Sequence, residues 1–193
     1  MNRMHVLGLS EKCTAKLNGW LLIILMSLLS ANMHLQYPCL LAIKETLGAT
    51  DFIMQASLIL SPGLAIFSNI FVGCYSTKYK AKSLLISCTL SFIMGTLTCG
   101  LAENQLAFFV GRSLQVLGDS GISIIGFALL AALLSPKVLA YYLGYSSILT
   151  AATTIFSPLL GAALLLRWGW RTPFLFLTII CLPLYAYLYL SYC

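Results

Sequence analysis

Charge is what this chain has least of. Only 8% of its 193 residues are Asp, Glu, Lys or Arg, whereas 60% are hydrophobic, and the mean hydropathy is +0.95. Soluble domains carry about 25% charged residues. So few charges do not cover a globular surface in water, which leaves an integral membrane protein. Acids are the scarcer sign, with five against eleven basic residues and a net charge of +6. No basic cluster is interleaved with exposed aromatics, so nucleic acid is excluded as a partner and the basic residues are read as topology signals. The seven cysteines form no CxxC pair and no Cys/His cluster with zinc-like spacing. Most sit in apolar runs, where cysteine behaves as a small hydrophobe. No metal and no cofactor are therefore expected. HExxH, Gly-x-Ser-x-Gly and an aspartate pair placed for intramembrane proteolysis are all missing, so an enzyme is not expected. Period-two alternation is missing as well, which excludes a transmembrane barrel.

What is present is a series of long apolar runs. About 20 apolar residues cross the hydrocarbon as a helix, and six runs qualify: Leu17–Ile43, Phe52–Tyr75, Ser83–Ala102, Leu106–Leu134, Leu139–Leu166 and Pro173–Tyr192. Backbone polar groups in lipid need partners within their own segment, so these runs are read as helices. Residues 1–16 are read as a cytoplasmic tail and 17–193 as a six-helix transmembrane bundle. The basic start followed by LLIILMSLLSA has the first two regions of a signal peptide. Its apolar character continues to Ile43, so it is read as a retained first helix.

With the N-terminus inside, Arg3, Lys12, Lys16, Lys78, Lys80, Lys82 and Lys137 fall on the cytoplasmic side and Lys44, Arg167 and Arg171 on the other. That bias places both termini in the cytoplasm. Trp168 and Trp170 read as an aromatic belt at the outer face. The second and fifth spans share a Ser-Pro pair, Ser61-Pro62 and Ser157-Pro158. Each is the middle helix of a set of three, as inverted three-helix repeats would have it. Coincidence remains an equal reading, since proline is frequent in membrane helices.

The fourth span holds GRSLQVLGDSG, from Gly111 to Gly121, with a cation and an anion between uncharged flanks. Arg112 lies about 9 Å inside the run, within snorkelling reach of the headgroups. Asp119 lies about 20 Å from either end, and its short side chain must face protein or water. Seven positions separate the two, so they share a face while standing about 10 Å apart along the axis. Gln115 lies between them. Arg112, Gln115 and Asp119 thus read as one wall of a buried polar pathway, with Asn32, His34 and Gln36 of the first span opposite.

Four stretches together resemble one family: GCYSTKYKAKS from Gly73, GRSLQVLGDSG, SPLLGAALL and RWGWRTPFLFL. Their order and spacing are similar to the N-terminal half of the major facilitator superfamily, closest to proton-coupled drug exporters of the bicyclomycin-resistance type. The likeness implies an all-α fold of six transmembrane helices built as two inverted three-helix repeats. In the loop signature G-x-x-x-D-R-x-G-R-R/K, Gly73, Lys78 and Lys82 match, while Thr77 replaces the acid of a gating charge network and Lys80 a glycine. With that acid gone, the lysines read as headgroup anchors ahead of members of a gate. In R-x-x-Q-G-x-G of helix 4, Arg112, Gln115 and Gly118 match, which implies a cavity-facing arginine in proton coupling. In G-x8-G-P-x-x-G-G of helix 5, Ser157, Pro158, Gly161 and Ala162 hold the end and Ile148 the start. The family packs that helix on its C-terminal half. Helix 1 departs: the related D-M-Y-L-P motif reads Asn32-Met33-His34-Leu35-Gln36, an amide where the protonatable acid stands. His34 and Asp119 are the substitutes at hand.

The resemblance implies a multi-pass transporter of the cell (inner) membrane that exports drugs or small metabolites against protons. Its expected partners are the lipid bilayer, a small-molecule substrate, protons, and a C-terminal half or a second copy. The chain ends with its sixth span, so an N-terminal half or truncated form is expected. The alternatives are a non-transporting, degenerate six-helix protein and a half-size transporter that dimerises.

Overall fold

The computed structural model describes residues 9–76 and 81–191, without the side chains of 9–18, 57, 60, 76, 82, 133 and 188–191. Lys78 and the Lys82 side chain, which belong to the loop signature, thus lie outside the described residues, as do residues 1–8 of the tail read at 1–16. Among the described residues seven α-helices follow one another: α1 (Leu9–Gln36), α2 (Leu40–Leu47), α3 (Asp51–Ser76), α4 (Ala81–Gly100), α5 (Gln105–Leu133), α6 (Pro136–Trp168) and α7 (Thr172–Ser191). Among the described residues there is no strand. The protein is an all-α membrane protein of six spans, because α1 and α2 form one span interrupted by a 3-10 turn at Tyr37–Cys39. Five spans are long and apolar enough to cross a membrane, and the sixth, Thr172–Tyr187, is shorter over the described residues.

Local chemistry sets the boundaries. Pro38 has no N–H for the carbonyl four residues back and its ring crowds that turn, so the first span breaks there rather than running through to Ile43. Gly48, at φ 60°, ends α2 in the left-handed conformation that only glycine takes without strain. Asn104 caps α5, its side chain accepting from the Ala107 amide at 2.8 Å. Pro136 opens α6 at a position where no amide is needed.

The closest helix pairing is α4 against α5. A Cβ on Gly118 would stand 2.5 Å from the Phe92 amide nitrogen, and one on Gly95 would overlap the Gln115 backbone. Small residues on both sides bring the backbones together, the association route available where lipid removes the hydrophobic drive. Next come α1 with α6, α3 with α5, and α4 with α7. Exchanging the first three spans for the last three turns the α1–α6 pairing into the α5–α3 pairing and returns α4–α7 to itself, as inverted repeats would have it, whereas the close α4–α5 pairing has only a weak counterpart in α7–α1.

One apolar core joins Leu22, Leu25 and Leu29 of α1 to Phe92 of α4, Ile122 and Ile125 of α5, and Cys181 of α7. A second core lies near the α4–α5 turn. There Trp170 is buried and meets Phe108 and Phe174 edge-on, with ring centroids 6.4 and 6.3 Å away. Trp170 therefore does not belong to an interfacial belt, whereas Trp168 is exposed. Arg171 lies over the Trp170 ring at 5.1 Å and donates from Nη2 to the Ala102 carbonyl at 3.0 Å, holding the end of α4 to the start of α7.

Candidate functional site: a buried guanidinium in an amide network

Three spans each present polar side chains to one another at the place where α1, α4 and α5 meet. Asn32 and Gln36 lie one turn apart on α1, Arg112 and Gln115 nearly a turn apart on α5, and Thr96 comes from α4. All five are buried; Gln115 and Thr96 have no exposure and Arg112 has 4%. Gly95 lets α4 come close enough to α5 for Thr96 to reach Gln115.

Gln115 is the hub. Its Nε2 donates to Asn32 Oδ1 and Thr96 Oγ1, both at 3.0 Å. Its Oε1 accepts from Arg112 Nη1 at 2.7 Å and Gln36 Nε2 at 3.4 Å. Two hydrogens and two lone pairs are the whole capacity of a carboxamide, and all are used. Gln36 Oε1 accepts from Arg112 Nη1 at 2.5 Å, and Gln36 Nε2 also donates to Asn32 Oδ1. Asn32 enters through its carbonyl oxygen alone. The other guanidinium nitrogen of Arg112, Nη2, donates to the Met33 thioether.

The network is thus well satisfied in hydrogen bonds and unbalanced in charge. An arginine is effectively always ionised, yet each acceptor of Arg112 is a neutral amide oxygen or a sulfur. Among the described residues Lys44–Asp51 is the one ion pair, at 2.6 Å, and it ties α2 to the first residue of α3. Asp119 is close enough for Arg112 to feel its field but makes no ion pair with it. The carboxyl is partly buried, has no hydrogen-bond partner among the described residues, and lies within electrostatic reach of the Cys181 thiol on α7.

The structure therefore brings Asn32, Gln36, Arg112 and Gln115 together and leaves two expected members of the pathway elsewhere. Asp119 stands apart along α5. His34 is two residues from both Asn32 and Gln36, about 200° around the helix, and points away from the network. Its Nε2 lies 3.4 Å from Thr154 Oγ1 on α6, and its ring meets Tyr37 edge-on at 5.6 Å. Thr96 and Met33 are contributors that the sequence did not single out. The signal for Thr96 was its neighbour Gly95, a small residue marking a close approach.

The helix 5 motif is also placed within this chain. Ser157 and Gly161 are buried and Pro158, between them, is half-buried. A Cβ on Gly161 would overlap the Leu35 carbonyl oxygen and stand 3.1 Å from Pro38 Cγ. That face of α6 meets α1 where the first span breaks, rather than pointing out of the bundle. Gly73, from the loop signature, lies near the end of α3, and a Cβ there would meet nothing within 4 Å.

Comparison with known proteins agrees with this architecture. A sequence model of the Major Facilitator Superfamily matches residues 20–192. The chain is 34% identical over 99 residues to the MFS-type transporter opaD of Aspergillus ustus, which covers 51% of this chain and 17% of that protein. It is 29% identical over 105 residues to the multidrug resistance protein MdtL of Shigella flexneri serotype 5b (strain 8401), covering 54% of this chain and 27% of MdtL. MdtL of Escherichia coli (strain K12 / DH10B) gives the same figures. The chain thus matches well under half the length of each of these relatives.

Proposed function

Because the chain belongs to the Major Facilitator Superfamily, we propose that it is a proton-coupled exporter of drugs or small metabolites, acting as the N-terminal six-helix half of a transport unit. The observation that carries this reading is the buried network around Arg112. Ionisable groups in membrane spans are costly, about 2.5–3.5 kcal/mol on insertion scales, and mark transport pathways. A purely structural bundle gains nothing from keeping four neutral polar side chains and a cation where apolar ones would pack.

In this reading the protein lies in the cell (inner) membrane with both termini cytoplasmic, following the bias of basic residues. Arg112, Gln115, Asn32 and Gln36 line the pathway. Asp119 carries the proton, since it is the one carboxyl deep within a described span and its oxygens are unengaged. A second six-helix body completes the cavity. The long exposed apolar rows of α3 and α6, the spans with least burial, support that role.

The test is dye export from cells. Expression is expected to lower the accumulation of ethidium or of carboxyfluorescein loaded as its ester, and Asp119→Asn is expected to abolish the effect. Export of neither dye above an empty-vector control would sink the transport reading. Export that survives Asp119→Asn would remove Asp119 as the coupling acid.

A further inference from the structure

We propose that the Nη2 edge of Arg112 anchors an anionic group of the transported molecule, a carboxylate or a phosphate, and that the Met33 thioether gives way to that group. The inference rests on the reading of the network as pathway lining, and it names the substrate class: organic anions ahead of cations.

Nη1 and Nη2 have different surroundings. Nη1 is enclosed by Gln36 and Gln115, two amide oxygens held in turn by Asn32 and Thr96. Nothing entering the site can displace those partners without opening the network. Among the described residues, Nη2 donates to Met33 alone. A thioether is a weak acceptor, and methionine, unbranched with three rotatable bonds, moves aside readily. This is also the open side of the site. Met33 is partly exposed, and Tyr37, one turn along and within electrostatic reach of Arg112, is 48% exposed.

The charges facing Arg112 decide the sign of the guest. The groups that act on it electrostatically are Cys99, Asp119 and Tyr37. Of these only Asp119 is an acid, and it makes no contact. A thiol and a phenol are neutral near pH 7. A cation brought to Nη2 meets uncompensated like charge in a low dielectric, where Coulomb terms are large. An oxyanion replaces a weak, neutral sulfur acceptor with one whose charge is opposite to the guanidinium, giving a shorter and stronger bond. Asn32 matters here too: a carboxylate at that position would neutralise Arg112 from within, whereas the amide leaves its charge to be met by a guest.

The experiment uses the full chain in lipid nanodiscs and three probes of one shape: 2-naphthoate, 2-naphthamide and 2-naphthylmethylammonium. Saturable elevation of the thermal unfolding midpoint by naphthoate is expected, with binding roughly tenfold tighter than for the amide, and no elevation by the amine. A companion comparison needs no ligand. Met33→Glu and Met33→Gln are nearly isosteric and differ in charge, so the Glu variant is expected to unfold several degrees above the Gln variant and to lose the naphthoate response. Equal response to all three probes, preference for the amine, or no response to any would overturn the anchor. A Glu variant less stable than the Gln variant would overturn it as well. Naphthoate binding without export of any dye would fail the transport reading and leave the anchor standing. Dye export with no naphthoate preference would do the reverse.

Discussion

Asn32 is an amide that uses only its oxygen. Gln36 and Gln115 both donate to Oδ1, so removing that oxygen orphans two buried donors, each at about 1–3 kcal/mol. Asn32→Leu is therefore expected to lower the unfolding midpoint strongly. Asn32→Asp keeps an acceptor in place beside a buried cation and is expected to be clearly the more stable of the two at pH 7, as read by thermal unfolding in detergent. Equal stability of the two would mean that the oxygen of residue 32 plays no part in holding the site. Thr96→Val removes one acceptor from Gln115 and leaves the shape, for an expected loss of about 1 kcal/mol in the same measurement. Much of this site was legible at the level of residues. Arg112 and Gln115 share a face, as do Asn32 and Gln36 one turn apart, and polar residues in an oily run have few places to go. His34 was separable from Asn32 and Gln36 by spacing alone, because two residues along a helix reverse the side, and grouping it with them overlooked that period. Met33 carried no signal, since methionine in an apolar run reads as packing.

The helices themselves meet through glycines, and the cost of filling those contacts differs by position. On α6, a Cβ at Gly161 would enter the Leu35 carbonyl oxygen, which belongs to backbone and has no rotamer to change. Gly161→Ala is expected to cost about 1–3 kcal/mol as overpacking. Gly144, on the same helix, has nothing within 4 Å of the position a Cβ would take. Gly144→Ala is expected to be neutral or to stabilise by up to about 1 kcal/mol, because alanine is the better helix former. If both substitutions behave alike in a thermal unfolding assay, the α1–α6 contact is not the one described. Hydropathy was enough to locate the spans, because a membrane sets one length for all of them. It could not locate the interruption at Tyr37–Cys39. Apolar character continues through that turn, and Pro38 permits a kink as readily as a break. Nor could it show that Ser157 and Gly161 face α1. A small-residue motif marks a close approach without naming the partner.

At the level of the whole molecule, scarcity of charge was decisive for class and uninformative about assembly, because lipid and a second protein body present similar apolar surfaces to a helix. The structure narrows the question by geometry. The α3 row Phe52, Ile59, Ile66 and Ile70 and the α6 row Ile148, Ile155, Leu159 and Leu166 are exposed, and both belong to the two spans with least burial. α7 also exposes apolar residues, among them Ile179 at 68%. It is more enclosed by its neighbours, with Phe174, Leu177 and Cys181 in the interior. If a second six-helix body completes the transport unit, α3 and α6 are the surfaces it covers and Ile179 faces acyl chains. A photo-reactive benzophenone amino acid at Ile59 or Ile155 is then expected to give protein–protein adducts in membranes, and at Ile179 lipid adducts only. Adducts of twice the chain's mass would identify a second copy as the partner. Equal yields at all three positions, or none at Ile59 and Ile155, would leave these rows to lipid and remove the two-body unit.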